Sequence, residues 1–450
     1  MPIAKNEIHT VTICGYTSDG EGVARVDGQV VLVKHAIDGE VCNIRILRVA
    51  KNVAWAKIET VLNPSKLRIT PACFAFGPCG GCDFLHMSYE EELRLKHQRV
   101  SDAITRIGGL AVTVAPLCAA EKTEGYRNKV IFAVGSGPTT GFYRRRSHQI
   151  VPITSCLIQS DLANRAAAIL RKWMCSYNIW AYDKTTGQGM IRHLFVRMAM
   201  SSGEIAICLV AAVEKLPHID ALIESINRHC PEAVSIMLCA NKSESNVVLR
   251  GELYTLWGED FLTDTLLGLR FRLSPHSFFQ VNTSQAEQLY KKALVYANLT
   301  GKETVLDLYC GTGTISLILA KDAKHVIGAE IVASAIRDAK QNAKMNGIEN
   351  VEFILGDVSD VVCDLSARGI RPDVIVVDPP RKGLAPDVIE QIILLAPSRL
   401  IYISCDPATL ARDLNRLDAA DYKVQEITPI DMFPRCAHVE TIALLERRVS

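Results

Sequence analysis

The chain lacks any uninterrupted apolar run of about 18 residues, the length that a membrane-spanning helix needs, so we expect no membrane partner. Its first residues, MPIAKNEIHT, lack the apolar core of a secretion signal, and a cytoplasmic protein is therefore expected. Net charge is also scarce, at +1 over 450 residues. Any nucleic-acid surface must therefore be a local patch.

Cysteine, in contrast, is abundant, with 15 residues. Without a secretion signal, reduced thiols, a metal site or catalysis are more plausible than disulfides. The composition, 48% hydrophobic and 22% charged, is that of a soluble globular protein. The length predicts two or three domains. No segment indicates an obligate protein partner.

The first domain, predicted at residues 1–62, reads as a series of short strands. Asp27-Gly28 between Val26 and Gln29 indicates a two-residue hairpin, because both turn positions need positive φ. Several short strands separated by turns predict a small β-barrel. Its basic residues are dispersed, so pattern alone leaves a solvated surface and an RNA contact equally open.

A glycine-rich cysteine cluster follows in PACFAFGPCGGCDFLH, where Cys73, Cys79 and Cys82 have C-x5-C-x2-C spacing. Cys156 is a distant fourth thiol. Clustered thiolates favour an iron–sulfur cluster. Zinc, with His86 as another possible ligand, and unligated thiols remain open. The spacing differs from the C-x3-C-x2-C of radical enzymes that cleave S-adenosylmethionine.

Residues 63–285 are predicted to form a second, α+β domain. The stretches Tyr126–Lys129 and Gly141–His148 place arginines beside aromatics, as single-stranded RNA recognition requires, although a solvated hairpin fits them too. Near the end of this domain, Phe278 and Gln280 precede a helix expected to begin near Ser284. The Gln280 amide suits a ligand with donors and acceptors, although taken alone it would more often be a capping or loop glutamine.

Residues 286–450 alternate strand and helix, which predicts a doubly wound parallel sheet. Gly311 and Gly313 form a tight turn after a strand, where backbone approaches a ligand. Glu330 ends the next strand, where an acid binds ribose hydroxyls. A nicotinamide-dinucleotide enzyme is the rival interpretation, but Ser316 replaces the third glycine of G-x-G-x-x-G, and Asp307 suits S-adenosylmethionine better.

Two further strands end in reactive groups. DVIVV leads to Asp378 in DPPR, and LIYIS leads to Cys405. Ligands of open α/β sheets bind at these carboxyl ends, so a thiol and a carboxylate are brought to one edge. Taken alone, Cys405 would more often be a buried strand cysteine than a nucleophile.

The motifs together resemble the RNA uracil-5 methyltransferases, in the branch with an N-terminal TRAM domain and a cysteine cluster that includes the 23S ribosomal RNA enzymes. They are GEGVARVDGQVVLVKHAIDGEV, C-x5-C-x2-C with Cys156, SFFQVN, LDLYCGTGT, DPPRKG, SCDPATLARDL and FPRCAHVETIALLER. The resemblance implies a class I methyltransferase domain at 286–450, a TRAM RNA-binding barrel and a central RNA-binding domain. It also implies S-adenosylmethionine, a [4Fe–4S] cluster and an RNA partner.

Carried over by motif, Cys405 matches the nucleophile and Glu440 the general base of this family. The remaining matches are Gln280, Tyr309, Glu330, Asp378, Asp307, Gly311 and Gly313 for the methyl donor, Phe278, Gln280 and Asp378 for the substrate, and Cys73, Cys79, Cys82 and Cys156 for the cluster. Asp406 departs from the family's usual asparagine; an inward carboxylate there would oppose thiolate formation.

The implied reaction is attack of Cys405 on position 6 of uracil, which makes position 5 nucleophilic toward a methyl group. Because a free thiol has a pKa of about 8.5, we expect a helix N-terminus and nearby cations to activate it. The target is expected to be 23S ribosomal RNA, with a transfer-RNA T-loop as alternative. An amino-group methyltransferase and a non-catalytic ribosome-assembly factor are the other classes considered.

Overall fold

The computed structural model describes residues 3–243, 245 and 247–448. In chain order, the described residues form a small barrel, a central sheet with two helices, and a doubly wound sheet. No described helix combines the length and apolar character that a membrane crossing needs.

The predicted barrel is confirmed. Its strands are β1 (Ile8–Thr12), β2 (Gly22–Val26), β3 (Gln29–Lys34), β4 (Val41–Val49) and β5 (Val53–Asn63), paired in the order β1-β4-β5-β3-β2. Beyond β1, Cys14 N donates to Val23 O at 2.8 Å, which joins the two ends of the sheet. Asp27 and Gly28 have φ of 48° and 83°, as the two-residue turn requires.

The cysteine segment, residues 64–88, is built from turns and leads into helix α1 (Tyr89–Asp102), which continues as a π-helical turn (Ala103–Ile107). Ser88 caps α1 by accepting a hydrogen bond from Glu91 N at 3.3 Å. Acidic side chains in the first turn complement the helix dipole.

The central sheet has the order β12-β11-β10-β9-β6-β7-β8. Its elements are β6 (Lys129–Gly135), β7 (Thr139–Tyr143), β8 (Ile150–Pro152), α2 (Asp161–Ser176), β9 (Ile191–Met198), β10 (Ile205–Ala211), α3 (Ile219–His229), β11 (Ala233–Ala240) and β12 (Glu252–Gly258). Phe132, Leu194 and Trp173 belong to the core that α2 and α3 form against one face. The other face supports the loop before the next domain.

A hairpin of β13 (Leu262–Leu266) and β14 (Leu269–Leu273) precedes α4 (Thr283–Ala297). The helix expected near Ser284 thus begins at Thr283, capped by Asn282. The predicted boundary at residue 285 falls in the first turn of α4, and the division into three domains stays a prediction.

The C-terminal sheet has the order β17-β16-β15-β18-β19-β21-β20. Its elements are β15 (Thr304–Leu308), α5 (Thr314–Ala320), β16 (His325–Glu330), α6 (Ala333–Met345), β17 (Val351–Leu355), α7 (Val358–Ala367), β18 (Val374–Val377), α8 (Pro386–Leu395), β19 (Arg399–Ser404), α9 (Pro407–Asp418), β20 (Tyr422–Ile430) and β21 (Glu440–Arg447). β15–β19 run parallel, and β21 is antiparallel to both neighbours. The predicted doubly wound sheet is confirmed.

The order of the strands reverses between β15 and β18. From β15 the chain proceeds outward to β16 and β17, then returns to place β18 and β19 on the other side. Crevices at such switch points are the ligand sites of open α/β sheets. The carboxyl ends of β15, β18 and β19 therefore define the site.

Candidate active site

Strand register brings Cys405 and Glu440 together. Ser404 of β19 pairs with Thr441 of β21 in antiparallel register. Continuing that register by one residue sets Cys405 opposite Glu440. The two residues are 35 positions apart in sequence. They become neighbours because β21, the second strand of the last hairpin, pairs with β19.

Asp378 lies at the end of β18, beside this pair. Val377 pairs with Tyr402 of β19 and with Leu308 of β15, so Asp378 stands between the thiol and the glycine turn. Burial raises the pKa of Asp378 to about 7. The crevice thus contains a carboxyl that changes charge near neutral pH.

Glu440 is almost fully buried, at 4% exposure. Burial raises the pKa of Glu440 to about 8; the charge of Asp378 adds to the increase, and Arg381 opposes it. A carboxylate of this pKa is a stronger base than an ordinary glutamate.

The expectation that the site lowers the thiol pKa is wrong for the free protein. Burial, together with the carboxylates of Glu440 and Asp378, raises the pKa of Cys405 to about 11. Arg381 alone among the named neighbours lowers it. Burial and the two acids together outweigh the opposing effect of Arg381, whose side chain is exposed.

The side chain of Asp406 points toward α9. Its Oδ1 accepts hydrogen bonds from Ala408 N at 2.9 Å and Thr409 N at 3.2 Å, so it is the N-cap of that helix. Asp406 raises the pKa of Cys405 only as the last of the named causes. The departure from asparagine therefore keeps the cap and adds a small unfavourable charge.

The glycine turn follows β15 as predicted. Tyr309, Gly311 and Gly313 all have positive φ, at 68°, 55° and 78°. A Cβ on Gly313 would lie 2.8 Å from the Phe353 ring, so glycine is required there. Glu330 Oε2 accepts a hydrogen bond from Gly311 N at 3.1 Å, which holds the turn against the end of β16.

Asp307 is fully buried beneath this turn. One of its carboxylate oxygens accepts a 2.5 Å hydrogen bond from Ser316 Oγ, while Oδ1 has no partner among the described residues. Burial raises the pKa of Asp307 to about 7, and the charge of Asp378 contributes. Ser316, which replaces the third glycine of the dinucleotide motif, thus holds the Asp307 carboxylate in place through this hydrogen bond.

The loop with Phe278 and Gln280 is held against the central sheet. Asn128 Nδ2 donates to Gln280 O at 2.8 Å, and Arg197 Nη2 donates to Ser277 O at 2.7 Å. Gln280 is buried, whereas Phe278 is 61% exposed near Lys129. The exposed ring and the buried amide thus stand on one short loop beside the turn at Thr312, which donates to Phe278 O at 3.3 Å.

The four predicted cluster cysteines line one cavity. The cavity has a volume of about 90 Å³, and its wall includes Cys73, Cys79, Cys82, Cys156, Phe76, Leu85, Phe142, Ile153, Ile158 and Arg127. Across the described residues, no three His, Cys, Asp or Glu side chains converge as a site for one metal ion requires. His86 packs against the rings of His35 and Phe76 and is outside this wall.

The donor chemistry of this cavity fits an iron–sulfur cluster. Four thiols line a space whose other walls are mainly apolar, and thiolates are the usual ligands of such clusters. Arg127 adds a cation that forms no ion pair with any described carboxylate, so it can balance an anionic group there.

Sequence reasoning assigned no role to two residues at the crevice, Arg381 and Tyr290. Arg381 lowers the pKa of Cys405 and lies 3.3 Å from His438 Nε2. The Tyr290 side chain of α4 is buried, and the charges of Asp378 and Glu440 add to the burial that raises its pKa. Arg381 lies in the DPPR motif, so the sequence offered a reason to place a cation near the thiol. Tyr290 occupies an ordinary apolar position of an amphipathic helix, and no pattern marks it.

Known proteins are similar in sequence to this chain over most of its length. Residues 256–448 match the model of the tRNA (Uracil-5-)-methyltransferase family, and residues 5–58 match the TRAM domain. An uncharacterized RNA methyltransferase of Clostridium tetani is 43% identical over 448 residues, covering 99% of this chain and 97% of its own. One of Halalkalibacterium halodurans is 42% identical over 449 residues, covering 99% and 98%.

A solved structure is similar over the whole chain. It is the Pyrococcus abyssi tRNA (uracil-54, C5)-methyltransferase in complex with S-adenosyl-L-homocysteine. The identity is 28%, the TM-score is 0.80, and the match covers 97% of this chain and 99% of that one. The barrel, central sheet and C-terminal sheet thus recur in one protein.

The doubly wound sheet, together with the matches to known methyltransferases, makes this chain an α/β methyltransferase dependent on S-adenosylmethionine. The full-length relatives narrow the class, and the chain belongs to the RNA (uracil-5-)-methyltransferase family with an N-terminal TRAM domain. The resemblance to the RNA uracil-5 methyltransferases and to the TRAM domain is confirmed, and the dinucleotide and non-enzymatic alternatives are set aside.

Proposed function

We propose that this enzyme methylates position 5 of a uridine in 23S ribosomal RNA through a covalent bond between Cys405 and the base. The observation that carries the proposal is the register that sets Cys405 opposite Glu440, with Asp378 on the neighbouring strand. A nucleophile, a base and a polar group for the edge of uracil then stand at one strand edge. An amino-group methyltransferase would need neither the thiol nor this pairing.

The first step is addition of the Cys405 thiolate to carbon 6 of uracil. The electron pair of the ring double bond moves to give an enolate, and carbon 5 becomes a nucleophile. Because the pKa of the Cys405 thiol is about 11 in the free protein, the thiolate must form as substrate fills the crevice. Arg381 favours the thiolate, and Asp378 is placed to hydrogen-bond the base edge.

The last step is removal of the proton from the methylated carbon 5. Glu440 accepts it, the carbon–hydrogen pair restores the ring double bond, and the carbon–sulfur pair returns to Cys405. A buried carboxylate with a pKa of about 8 is well matched to this task. Reaching a stacked uridine requires a looped-out or flipped base. The Phe278 ring, which is exposed beside the crevice, can stack on such a base.

S-adenosylmethionine supplies the methyl group when it is bound. The residues assigned to it are Gln280, Asp307, Tyr309, Gly311, Gly313, Glu330 and Asp378. The free Oδ1 of Asp307 can accept a hydrogen bond from the donor molecule. Glu330, which orders the turn through Gly311 N, is assigned to the ribose hydroxyls.

The cysteine cavity is proposed to hold a [4Fe–4S] cluster through Cys73, Cys79, Cys82 and Cys156. Its support is that all four thiols line one cavity, with Arg127 in the wall. Methyl transfer moves no net electrons, so the role of the cluster is structural or RNA-positioning. RNA contact is assigned to the TRAM barrel and the central domain.

A transfer-RNA T-loop uridine is the second candidate target. It is favoured by the similarity to the Pyrococcus abyssi enzyme, whose name specifies uracil 54 of tRNA. The cysteine cluster combined with TRAM favours ribosomal RNA. The chemistry of the crevice, addition to carbon 6 and methylation of carbon 5 of uracil, is the same for either RNA.

The experiment maps 5-methyluridine in ribosomal and transfer RNA from cells without this protein, and measures methyl transfer by the purified enzyme to unmodified transcripts of each. We expect one 23S position to lose its mark and the 23S transcript to be methylated. Cys405→Ala should abolish that transfer. Loss of a T-loop mark with 23S unchanged would overturn the rRNA assignment, and full activity of Cys405→Ala would overturn the mechanism.

A further inference from the structure

The segment 431–439 between β20 and β21 leads directly into Glu440, yet it is held by residues far upstream. Its carbonyls accept hydrogen bonds as follows: Phe433 O from Lys96 Nζ at 3.0 Å, Pro434 O from Tyr126 Oη at 2.9 Å, Arg435 O from Asp83 N at 2.7 Å, and Ala437 O from Arg99 Nη1 at 2.6 Å. The position of Glu440, the proposed general base, thus depends on contacts outside its own sheet.

One part of this attachment is a fully buried ion network. Lys96 Nζ donates to Glu92 at 2.7 Å and to Asp431 at 2.6 Å, and none of the three side chains is exposed. Removing one member would leave an uncompensated buried charge. This network is therefore a requirement for folding and a poor probe of catalysis.

The other part joins the cysteine loop to the segment. Asp83, which follows Cys82, accepts a hydrogen bond from Ala437 N through Oδ2 at 2.8 Å. The Cys436 thiol donates to Gly81 O at 3.1 Å. With the bond from Asp83 N to Arg435 O, residues 81–83 and 435–437 form one hydrogen-bonded unit. Ala437 is only three residues before Glu440.

We propose that Asp83 is a positioning residue for proton removal by Glu440. The inference rests on the proposed function, in which Glu440 takes the proton from carbon 5. Asp83 fixes the backbone at Ala437 and so fixes the start of β21. It is 15% exposed and is also paired with Arg145, so its loss disturbs no fully buried charge.

The consequence is specific to one step. Attack by Cys405 and methylation at carbon 5 do not use Glu440. Displacing Glu440 slows only the elimination, in which the carbon–hydrogen pair forms the ring double bond and the carbon–sulfur pair returns to Cys405. An enzyme in which Glu440 is displaced therefore stays covalently attached to the methylated RNA.

The test compares full-length, cluster-containing Asp83→Ala, Asp83→Asn and Glu440→Gln with wild type, using the unmodified RNA that wild type methylates. Protein–RNA adduct is measured on denaturing gels beside steady-state turnover. We expect Asp83→Ala to lower turnover roughly 10- to 100-fold, as small misplacements of catalytic groups do, and to accumulate methylated adduct. Asp83→Asn keeps an acceptor oxygen and should recover most turnover without adduct.

Iron content and RNA affinity are measured for each variant, with Asp364→Ala, which removes a surface pair with Arg368, as the control. Unchanged iron and affinity with adduct in Asp83→Ala support the proposal. Slow turnover without adduct, or loss of iron, overturns it. If Glu440→Gln also forms no adduct, the base assignment itself fails; if only Asp83→Ala forms none, the positioning inference fails alone.

Discussion

Replacement of Glu440 by glutamine should stabilise the protein in a pH-dependent way. Burial raises the pKa of Glu440 from 4.5 to about 8. Between these values the folded protein holds a proton that the unfolded chain has released. The free energy of unfolding of the wild type therefore falls as pH rises through this window and levels off above pH 8.

The size of the effect follows from the shift. Each pKa unit corresponds to about 1.4 kcal/mol, so from pH 5 to pH 8 the wild type loses about 4 kcal/mol through this one group. Glutamine resembles the protonated acid in shape and does not titrate. The advantage of Glu440→Gln over wild type should thus grow by about 4 kcal/mol between pH 5 and pH 8.5.

Urea unfolding of the two full-length proteins at both pH values measures this difference, and hydrogen exchange of β19 and β21 assigns the transition to the C-terminal sheet. Titratable groups that do not interact with residue 440 cancel in the comparison. An advantage that is the same at both pH values would mean that Glu440 is ionised in the folded protein at pH 5. The electrostatic description of the crevice would then be wrong.

Further predictions concern the other parts of the site. Because the Asp307 pKa of about 7 reflects the cost of a buried charge, Asp307→Asn should raise the free energy of unfolding above pH 7 by up to about 4 kcal/mol. The same change should weaken S-adenosylmethionine binding at least tenfold, as measured by calorimetry. An unchanged affinity would remove Asp307 from the donor site. Cys79→Ser and Cys156→Ser should lose the iron and sulfide of anaerobically purified protein, while the exposed Cys175→Ser keeps them; zinc alone in the wild type would contradict the cluster. Asp406→Asn should keep the helix cap and speed alkylation of Cys405. Asp406→Ala should lose the cap and lower the free energy of unfolding by about 1 kcal/mol. Equal alkylation rates in wild type and Asp406→Asn would show that the Asp406 charge does not affect the thiol.

The sequence was informative wherever function depends on strand ends. A polar residue that ends an apolar strand must lie at the edge of the sheet, so Asp378 and Cys405 could be placed without coordinates. Glu440 required more, because its strand inserts antiparallel beside β19 and only the register sets it opposite the thiol. Glu440 was predicted as the general base from the motif resemblance alone, because no local sequence pattern marks it.

Long-range electrostatics could not be predicted. Lys96 reads as one solvated lysine of an amphipathic helix, yet it is fully buried because its partner Asp431 arrives 335 positions later. The thiol pKa of Cys405 depends in the same way on two acids from other strands. Asp83 and Ala437 illustrate a third case, in which a side-chain carboxylate accepts a hydrogen bond from a distant backbone N–H that no sequence pattern marks.

The most direct test of the covalent mechanism uses substrate RNA with 5-fluorouridine at the target position. Fluorine on carbon 5 cannot be removed as a proton, so the enzyme should remain bound to the methylated base in the presence of S-adenosylmethionine. Digestion and mass spectrometry should locate the cross-link at Cys405, with none formed by Cys405→Ala. A cross-link on another residue, or methylation of normal RNA by Cys405→Ala, would contradict the account.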